Sequence, residues 1–200
     1  MSMRDNYTKF IDEKILEISK THRVLDVGGG ERFQKWLERY RPLFQHCEYQ
    51  TMDYDPQTGA DVIGNIHAIP LPDNSVDSII CHCVLEHVED PIRAVKELYR
   101  ILKLGGVIFV HVPSIYPYHA RKGHYPDYWR FFDDTLVMLF KDFSHVEMVK
   151  RGGYFKALFF FFPMQHKLRW FIDPLTSFLD MFFRTEKRTT TSGYYLFARK

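Results

Sequence analysis

Three consecutive glycines directly after a short apolar segment constrain this 200-residue chain more than any other feature. The apolar residues around Asp26 predict a short buried strand, in which Asp26 supplies a hydrogen-bond acceptor. Gly28, Gly29 and Gly30 then let the backbone turn sharply and approach a ligand closely. In parallel α/β sheets, ligands bind at such carboxyl ends of strands. The segment therefore predicts a parallel α/β fold with a ligand beside this turn.

The spacing of the glycines excludes a dinucleotide fingerprint. That fingerprint needs a further glycine three residues after Gly30, and Phe33 occupies the position. A tight turn in another α/β protein is one interpretation. The other is that Asp26, Gly28 and Gly30 resemble motif I of the class I S-adenosylmethionine-dependent methyltransferases. This resemblance implies S-adenosylmethionine as cofactor, with its charged methionine part lying against the glycine loop.

An acidic residue follows the second predicted strand, Glu48–Met52, about 20 positions beyond the glycine turn. A carboxylate there can accept hydrogen bonds from both hydroxyls of a ribose. Asp53 is the first acid after the strand, and the methyltransferase resemblance favours it for this role. Asp55 stands before Pro56, where it either begins a turn or contacts the ligand.

Residues 64–91 resemble the central part of small-molecule methyltransferases of this class. The resemblance implies that Asn65 accepts a hydrogen bond from the adenine amino group, although family members usually carry Asp there. Asn keeps a carbonyl acceptor but loses the charge, so weaker binding is expected. Ile66 would lie against the adenine ring.

The strand Ser78–Cys81 leads into the sequence CHCVLEHV. His82 and Cys83 are expected to line the mouth of the cofactor site. Glu86 and His87 reproduce a pair that recurs in the family, although His87 is also interpreted as an ordinary histidine at a helix end.

Beyond the predicted strand Val107–Val112 lies a segment rich in aromatic residues, histidines and prolines, which is the predicted acceptor loop (residues 114–132). Its sequence YPDYWRF resembles methyltransferases of bacterial surface-glycan pathways. The alternative is local structure, in which Asp127 pairs with Arg130 while Trp129, Phe131 and Phe132 pack on the helix predicted to begin near Asp133. The predicted substrate-binding residues are Tyr116, His124, Tyr128 and Arg130.

General-base catalysis is assigned to His111 and His119, because imidazole has a suitable unperturbed pKa for deprotonating a hydroxyl. With His124 these residues could in principle form a zinc site. No further ligand pattern fixes such a geometry, and transfer from a sulfonium centre needs no metal. No metal is therefore predicted.

Between the predicted strands His145–Lys150 and Gly193–Arg199 lies a helical insertion, residues 154–190. Apolar residues recur there at helical spacing, and a basic cluster follows them. Two amphipathic helices broken by Pro163 and Pro174 are predicted. Their apolar faces either pack in the core, form a homodimer or contact a membrane surface through residues 154–188. The two faces are Phe155, Leu158, Phe159 and Phe162, then Leu175, Phe178, Leu179 and Phe182; the basic cluster is Arg184, Lys187 and Arg188.

Composition supports one domain, since 200 residues with 46% hydrophobic content suffice for a single α/β core. The net charge of +2 gives no reason to expect a nucleic-acid partner. Three cysteines without disulfide or zinc spacing, and no apolar signal segment, predict a cytoplasmic location, with the inner face of the membrane as a peripheral site. Residues 1–22 are predicted as an N-terminal helical segment and residues 23–113 as the cofactor-binding core.

These features predict a Rossmann-like α/β/α sandwich with a seven-stranded mixed sheet in the order 3-2-1-4-5-7-6. The predicted function is methyl transfer from S-adenosylmethionine to a small-molecule or glycan-precursor acceptor, by O-methylation. Two alternatives stay open. One is a quinone or other small aromatic acceptor, and the other is a noncatalytic module that binds S-adenosylmethionine.

Overall fold

The structure, a computed structural model, describes residues 6–162 and 165–200, and its centre is one seven-stranded sheet. The strands follow the order β3-β2-β1-β4-β5-β7-β6, as predicted. The first five are parallel, and β7 is inserted antiparallel between β5 and β6. The strands are β1 Arg23–Val27, β2 Glu48–Asp53, β3 Val62–Ile63, β4 Val76–His82, β5 Leu102–Pro113, β6 His145–Lys150 and β7 Gly193–Arg199.

Helices cover both faces of the sheet and enclose two apolar clusters. Side chains alternate between the faces of a strand, so neighbouring residues of β1 enter different clusters: Val24 packs with α1, and Leu25 packs with α2 and α3. The described helices are α1 Asn6–Ile18, α2 Pro91–Ile101, α3 Asp133–Leu139, α4 Tyr154–Phe159 and α5 Gln165–Phe182, with 3₁₀ segments at Lys35–Phe44, Pro56–Thr58, Leu85–His87 and Thr185–Lys187.

Two predicted boundaries differ from the structure. From the sequence we expect a helix from Phe33 to Tyr40, but the structure has a 3₁₀ segment that begins at Lys35 and contains Pro42. The sequence also predicts a helix from Pro91 to Leu102 that Gly105 and Gly106 end. This helix ends at Ile101, because Leu102 already pairs with Val76 in the sheet, and both glycines lie within β5.

The insertion is held by polar contacts. The carboxylate of Asp180, in α5, is buried at the amino end of α4, where it accepts hydrogen bonds from the amides of Gly153 (3.0 Å) and Phe155 (2.9 Å). Nζ of the buried Lys156 donates to the hydroxyls of Tyr7 (2.9 Å) and Ser177 (3.4 Å). Charged and polar groups therefore fasten α4 to α5 and to α1.

The prediction that Pro174 breaks the second helix is wrong, since Pro174 lies inside α5. It is on the exposed side, where water can satisfy the carbonyl that loses its intrahelical donor. Pro163, the other predicted break, lies outside the described residues.

Neither of the two predicted apolar faces of the insertion is buried as a whole. Phe159 is buried, whereas Leu158 and Phe162 are 47% and 56% exposed. In α5 the apolar residues lie mainly on the outside: Phe178 is 49% exposed and Phe182 is 67% exposed. Among the described helices, none combines the length and the apolar character needed to cross a membrane.

Candidate functional site

The glycine turn after β1 is shaped by a close approach to Asp26. A Cβ atom on Gly29 would lie 2.5 Å from Oδ2 of Asp26, and Gly28 and Gly30 adopt positive φ angles of +72° and +53°. The Gly28 amide donates to the carbonyl of Met52, at the end of β2, over 2.7 Å. Side chains are therefore excluded from this turn by the acid below it and by its backbone conformation.

The carboxylate of Asp26 is buried beneath the turn, where it accepts a hydrogen bond from the hydroxyl of Tyr49 over 2.8 Å. Burial raises the pKa of Asp26 to about 7, and the hydrogen bond from Tyr49 opposes the shift only in part. An approaching cationic group would favour the ionised form. This environment suits a ligand with a positive charge near the loop.

The two acids after β2 have different surroundings. Asp53 is half-buried at the strand end and accepts the Asp55 amide through Oδ1 over 3.1 Å. Asp55 caps the next 3₁₀ turn by accepting the amide of Gln57 over 2.9 Å. The turn-forming interpretation of Asp55 therefore matches its contacts. Asp53 directly follows Met52, whose carbonyl accepts the Gly28 amide.

The predicted adenine contacts lie in the turn that follows β3. Oδ1 of Asn65 accepts the backbone amide of His67 over 2.9 Å and lies 2.9 Å from Nδ1 of the same residue. Ile66 is buried. An adenine amino group would therefore share the Asn65 acceptor with His67.

The end of β4 lies within a column of stacked rings. His82 and His111 occupy paired positions of β4 and β5, and their ring centroids are 4.5 Å apart. Trp36 covers the outer side of His82 at 4.5 Å. Tyr195, paired with His111 in β7, stacks on that ring at 4.3 Å. His82 is thus packed between two rings.

The surroundings of His111 do not suit the predicted general base. Its ring is buried, and burial lowers its pKa well below the usual range. Nδ1 lies 3.0 Å from Sγ of Cys83. Burial first, and then the nearby charge of Glu86, raise the pKa of the Cys83 thiol. His111 is therefore a weak base in this site.

The acceptor loop is fastened to the segment between β4 and α2. The carbonyl of Glu86 accepts the amides of Tyr128 (2.8 Å) and Trp129 (3.2 Å). The indole N–H of Trp129 donates to the carbonyl of Val88 over 2.8 Å. Trp129 is 43% exposed, so it is not buried as the local alternative supposed.

The predicted substrate-binding residues of the loop are dispersed. The guanidinium of Arg130 pairs with both oxygens of Asp127, at 2.6 and 2.7 Å, and donates to loop carbonyls, so it shapes the loop. His124 lies on an exposed turn, and Tyr128 is 50% exposed. Tyr116 packs edge-on against His119, with ring centroids 5.2 Å apart.

A second polar cluster forms where this loop meets the 3₁₀ segment Leu85–His87. Nε2 of His87 and Nε2 of His119 each lie 3.8 Å from Oε1 of the buried Glu86. The Glu86 carboxylate is the main cause that raises the pKa of His119. The sequence did not predict this cluster, because the 31 residues between His87 and His119 hide their proximity.

The three histidines considered as a zinc site, His111, His119 and His124, do not lie together in the structure. His111 lies with His82 and Cys83, and His119 lies with Glu86 and His87. In the described part of the chain, His124 joins neither group.

Together, the strand order, the glycine turn over a buried acid and the acid at the end of β2 define the Rossmann-like fold of the class I S-adenosylmethionine-dependent methyltransferases. The methyltransferase domain family matches residues 25–110. This match, which covers most of the predicted cofactor-binding core, agrees with the predicted class.

A rice (Oryza sativa subsp. japonica) relative, 2-methyl-6-phytyl-1,4-hydroquinone methyltransferase 2, chloroplastic, is 30% identical over 148 residues. The alignment covers 68% of this chain and 40% of the rice protein. The chain thus spans less than half the length of this relative.

Solved structures share the fold. A S-adenosylmethionine-dependent methyltransferase from Archaeoglobus fulgidus superposes with a TM-score of 0.60 at 16% identity, covering 98% of this chain and all of the other. Phosphoethanolamine N-methyltransferase 2 from Haemonchus contortus, solved with S-adenosylmethionine, gives a TM-score of 0.59 at 14% identity, over 96% of this chain and 52% of the other. The family match and these structures agree with S-adenosylmethionine as the cofactor.

The raised pKa of Asp26 predicts a pH-dependent stability. Its folded-state pKa of about 7 lies above the ordinary 3.8, so the folded state retains a proton that the unfolded state releases. The stability from this group is therefore lost as pH rises from about 4 to about 7. We expect Asp26→Asn to raise the free energy of unfolding relative to the native protein by about 1 to 3 kcal/mol more at pH 8 than at pH 5. Urea unfolding at both pH values measures this difference, and an equal effect at both would contradict the prediction.

Proposed function

We propose that this chain transfers the methyl group of S-adenosylmethionine to a small-molecule acceptor held beneath the acceptor loop. The observation that carries the proposal is the glycine turn, which lies over Asp26 and is hydrogen-bonded to Met52 at the end of β2, one residue before Asp53. Among the described residues, these groups offer negative charge to a cationic amino acid part and an acceptor to a ribose. The loop 114–132 lies across the neighbouring strand ends.

The chemistry required of the protein is mainly positioning. When bound, S-adenosylmethionine supplies a methyl group on a positively charged sulfur, which becomes a neutral thioether as the methyl group leaves. Alignment of acceptor, methyl carbon and sulfur can contribute about 7 to 11 kcal/mol. A hydroxyl acceptor must also lose its proton, and the cluster of Glu86, His87 and His119 is the polar group on the acceptor side.

Binding measurements test whether the chain binds S-adenosylmethionine, as the proposal requires. We expect calorimetry to show binding of S-adenosylmethionine and its demethylated product but not of NAD, because Phe33 replaces the glycine that a dinucleotide site needs. Asp53→Ala should weaken binding by roughly 1.5 to 3 kcal/mol through loss of a charge-assisted hydrogen bond. Asp55→Ala is the matched control and should cost much less. A larger loss at Asp55 would transfer the ribose role to that residue.

The acceptor is proposed to be a hydroquinone or a related small aromatic alcohol, methylated on oxygen. The hydroquinone named for the rice relative supports this class, and so do the exposed aromatic side chains of the insertion. A glycan precursor is the second candidate. The polar side chains on the outer side of the acceptor loop favour it, since His124 and Tyr128 face solvent there.

Transfer of isotopically labelled methyl groups separates these acceptors. We expect the label to pass to a prenylated hydroquinone in detergent, and the product to gain one methyl group on oxygen, as assigned by NMR. A nucleotide-linked sugar serves as the comparison acceptor, and Asp53→Ala as the inactive control. Label that appears only on the sugar would favour the glycan candidate. No transfer to any acceptor, with cofactor binding intact, would favour a noncatalytic module.

The outer face of α5 is proposed to contact an anionic membrane, where a prenylated acceptor would reside. This face carries exposed apolar side chains, among them Leu175, Phe178 and Phe182. The basic cluster follows it directly and is exposed as well. Apolar burial and attraction to anionic lipid would act together on such a surface.

Vesicle sedimentation tests this contact. We expect salt-sensitive binding to anionic vesicles that falls when Arg184, Lys187 and Arg188 are replaced by Gln, because the electrostatic part of the attraction is lost. The matched control replaces three exposed lysines elsewhere, Lys20, Lys96 and Lys141, and should bind like the native chain.

A protein that stays in the supernatant at low salt would contradict the membrane proposal. If light scattering then shows a dimer that Phe178→Glu dissociates, the face is a protein interface.

A further inference from the structure

Glu86 is a buried carboxylate without a hydrogen-bond donor. Its side chain is 0% exposed, and neither oxygen has a hydrogen-bond partner within the described part of the chain. A carboxylate removed from water needs a counter-charge or a strong donor. Arg130 is close enough to be stabilised by the Glu86 charge, but its guanidinium is paired with Asp127, so a further positive charge beside Glu86 would be favourable.

The two nearest imidazoles present their Nε2 atoms to this carboxylate. Nδ1 of His87 donates to the carbonyl of Pro126, and Nδ1 of His119 lies 3.1 Å from the carbonyl of Pro117 and 3.2 Å from Oδ2 of Asp127. With the proton on Nδ1, each neutral ring keeps a lone pair on Nε2. Histidines that bind metals are oriented in this way, by donating their other N–H to a carbonyl or carboxylate.

The neighbouring cluster of His82, Cys83 and His111 lacks this convergence. Its two rings are stacked, with an angle of 24° between their planes. The lone pairs of stacked rings lie in two separate and nearly parallel planes, which is a poor arrangement for binding one ion between them. Burial also raises the pKa of the Cys83 thiol, which disfavours the thiolate that a metal binds.

We propose that Glu86, His87 and His119 bind one divalent transition-metal ion, Zn²⁺ in the first instance. One carboxylate and two imidazoles form a known ligand set of open zinc sites, in which water or substrate takes the remaining position. Ligand atoms about 2.0 to 2.1 Å from a tetrahedral ion lie about 3.4 Å apart. The two 3.8 Å separations from Oε1 of Glu86 need to close by a few tenths of an ångström, and all three ligand atoms already lie within 4.8 Å of one another.

The position of the metal site suggests that the cation activates the acceptor, and this role rests on the proposed methyl transfer. The ligands join the segment after β4 to the acceptor loop, so the open position lies on the acceptor side. A bound cation lowers the pKa of a coordinated hydroxyl, whose proton passes to solvent before the oxygen attacks the methyl carbon. His119 then acts as a metal ligand and not as the general base that the sequence predicted.

Cation binding by the full chain, without acceptor or cofactor, tests the site. We expect one equivalent of Co²⁺ to bind with visible d–d absorption bands and to be displaced by Zn²⁺. Glu86→Gln keeps the size of the side chain and removes its charge, and His119→Gln changes a half-buried loop residue. Each variant should lose the bands and weaken Zn²⁺ binding at least tenfold.

His124→Gln is the matched control, because it removes an exposed histidine from the same loop and should leave the bands unchanged. Circular dichroism and S-adenosylmethionine calorimetry establish that each variant is folded, and they keep this test separate from that of the proposed function. Glu86→Gln and His119→Gln variants that are folded and bind Zn²⁺ as tightly as the native chain would overturn the site. So would a native chain that binds no stoichiometric cation.

Discussion

The close approach of the backbone to the Asp26 carboxylate governs the conformation of the glycine turn, where the cofactor is predicted to bind. Because β1 lies between β2 and β4 in the sheet, the side chain of Asp26 is buried, and it packs directly beneath Gly29. Tyr49 from the neighbouring strand fixes the carboxylate from the other side. The position of the turn is therefore set by the sheet, and the acid that favours a cationic ligand is also the group that excludes side chains from the loop.

Glu86 has the corresponding role for the predicted acceptor loop, because both its backbone and its side chain contact that loop. Its backbone carbonyl holds two amides of the acceptor loop, while its carboxylate faces the two histidines. Loop position and local charge thus depend on the same residue. Because Cys83 lies close to this carboxylate and also contacts His111, the ring column at the strand ends is connected to the cluster.

The sheet could be predicted from the sequence because its strands carry alternating or continuous apolar residues between turn-forming residues. The glycine turn and Asp53 followed from spacing within 30 residues. The Glu86 cluster could not be predicted, since it depends on how a 19-residue loop folds back onto β4. Pro174 misled the prediction because sequence alone does not show which side of a helix faces water. For Arg130 the sequence left open a substrate role or a pair with Asp127, three residues earlier, and the structure shows the pair.

In an ordinary amphipathic helix the apolar residues face the protein and the polar residues face water, and α5 has the reverse arrangement. Asp180 and Thr176 lie inside, and the aromatic residues of α5 lie outside. The polar contacts that hold α4 and α5 in place do not involve the outer aromatic residues. Such a surface can change in sequence while the catalytic core keeps its stability. The surface that would determine where the protein binds is therefore separate from the residues that would carry out its reaction.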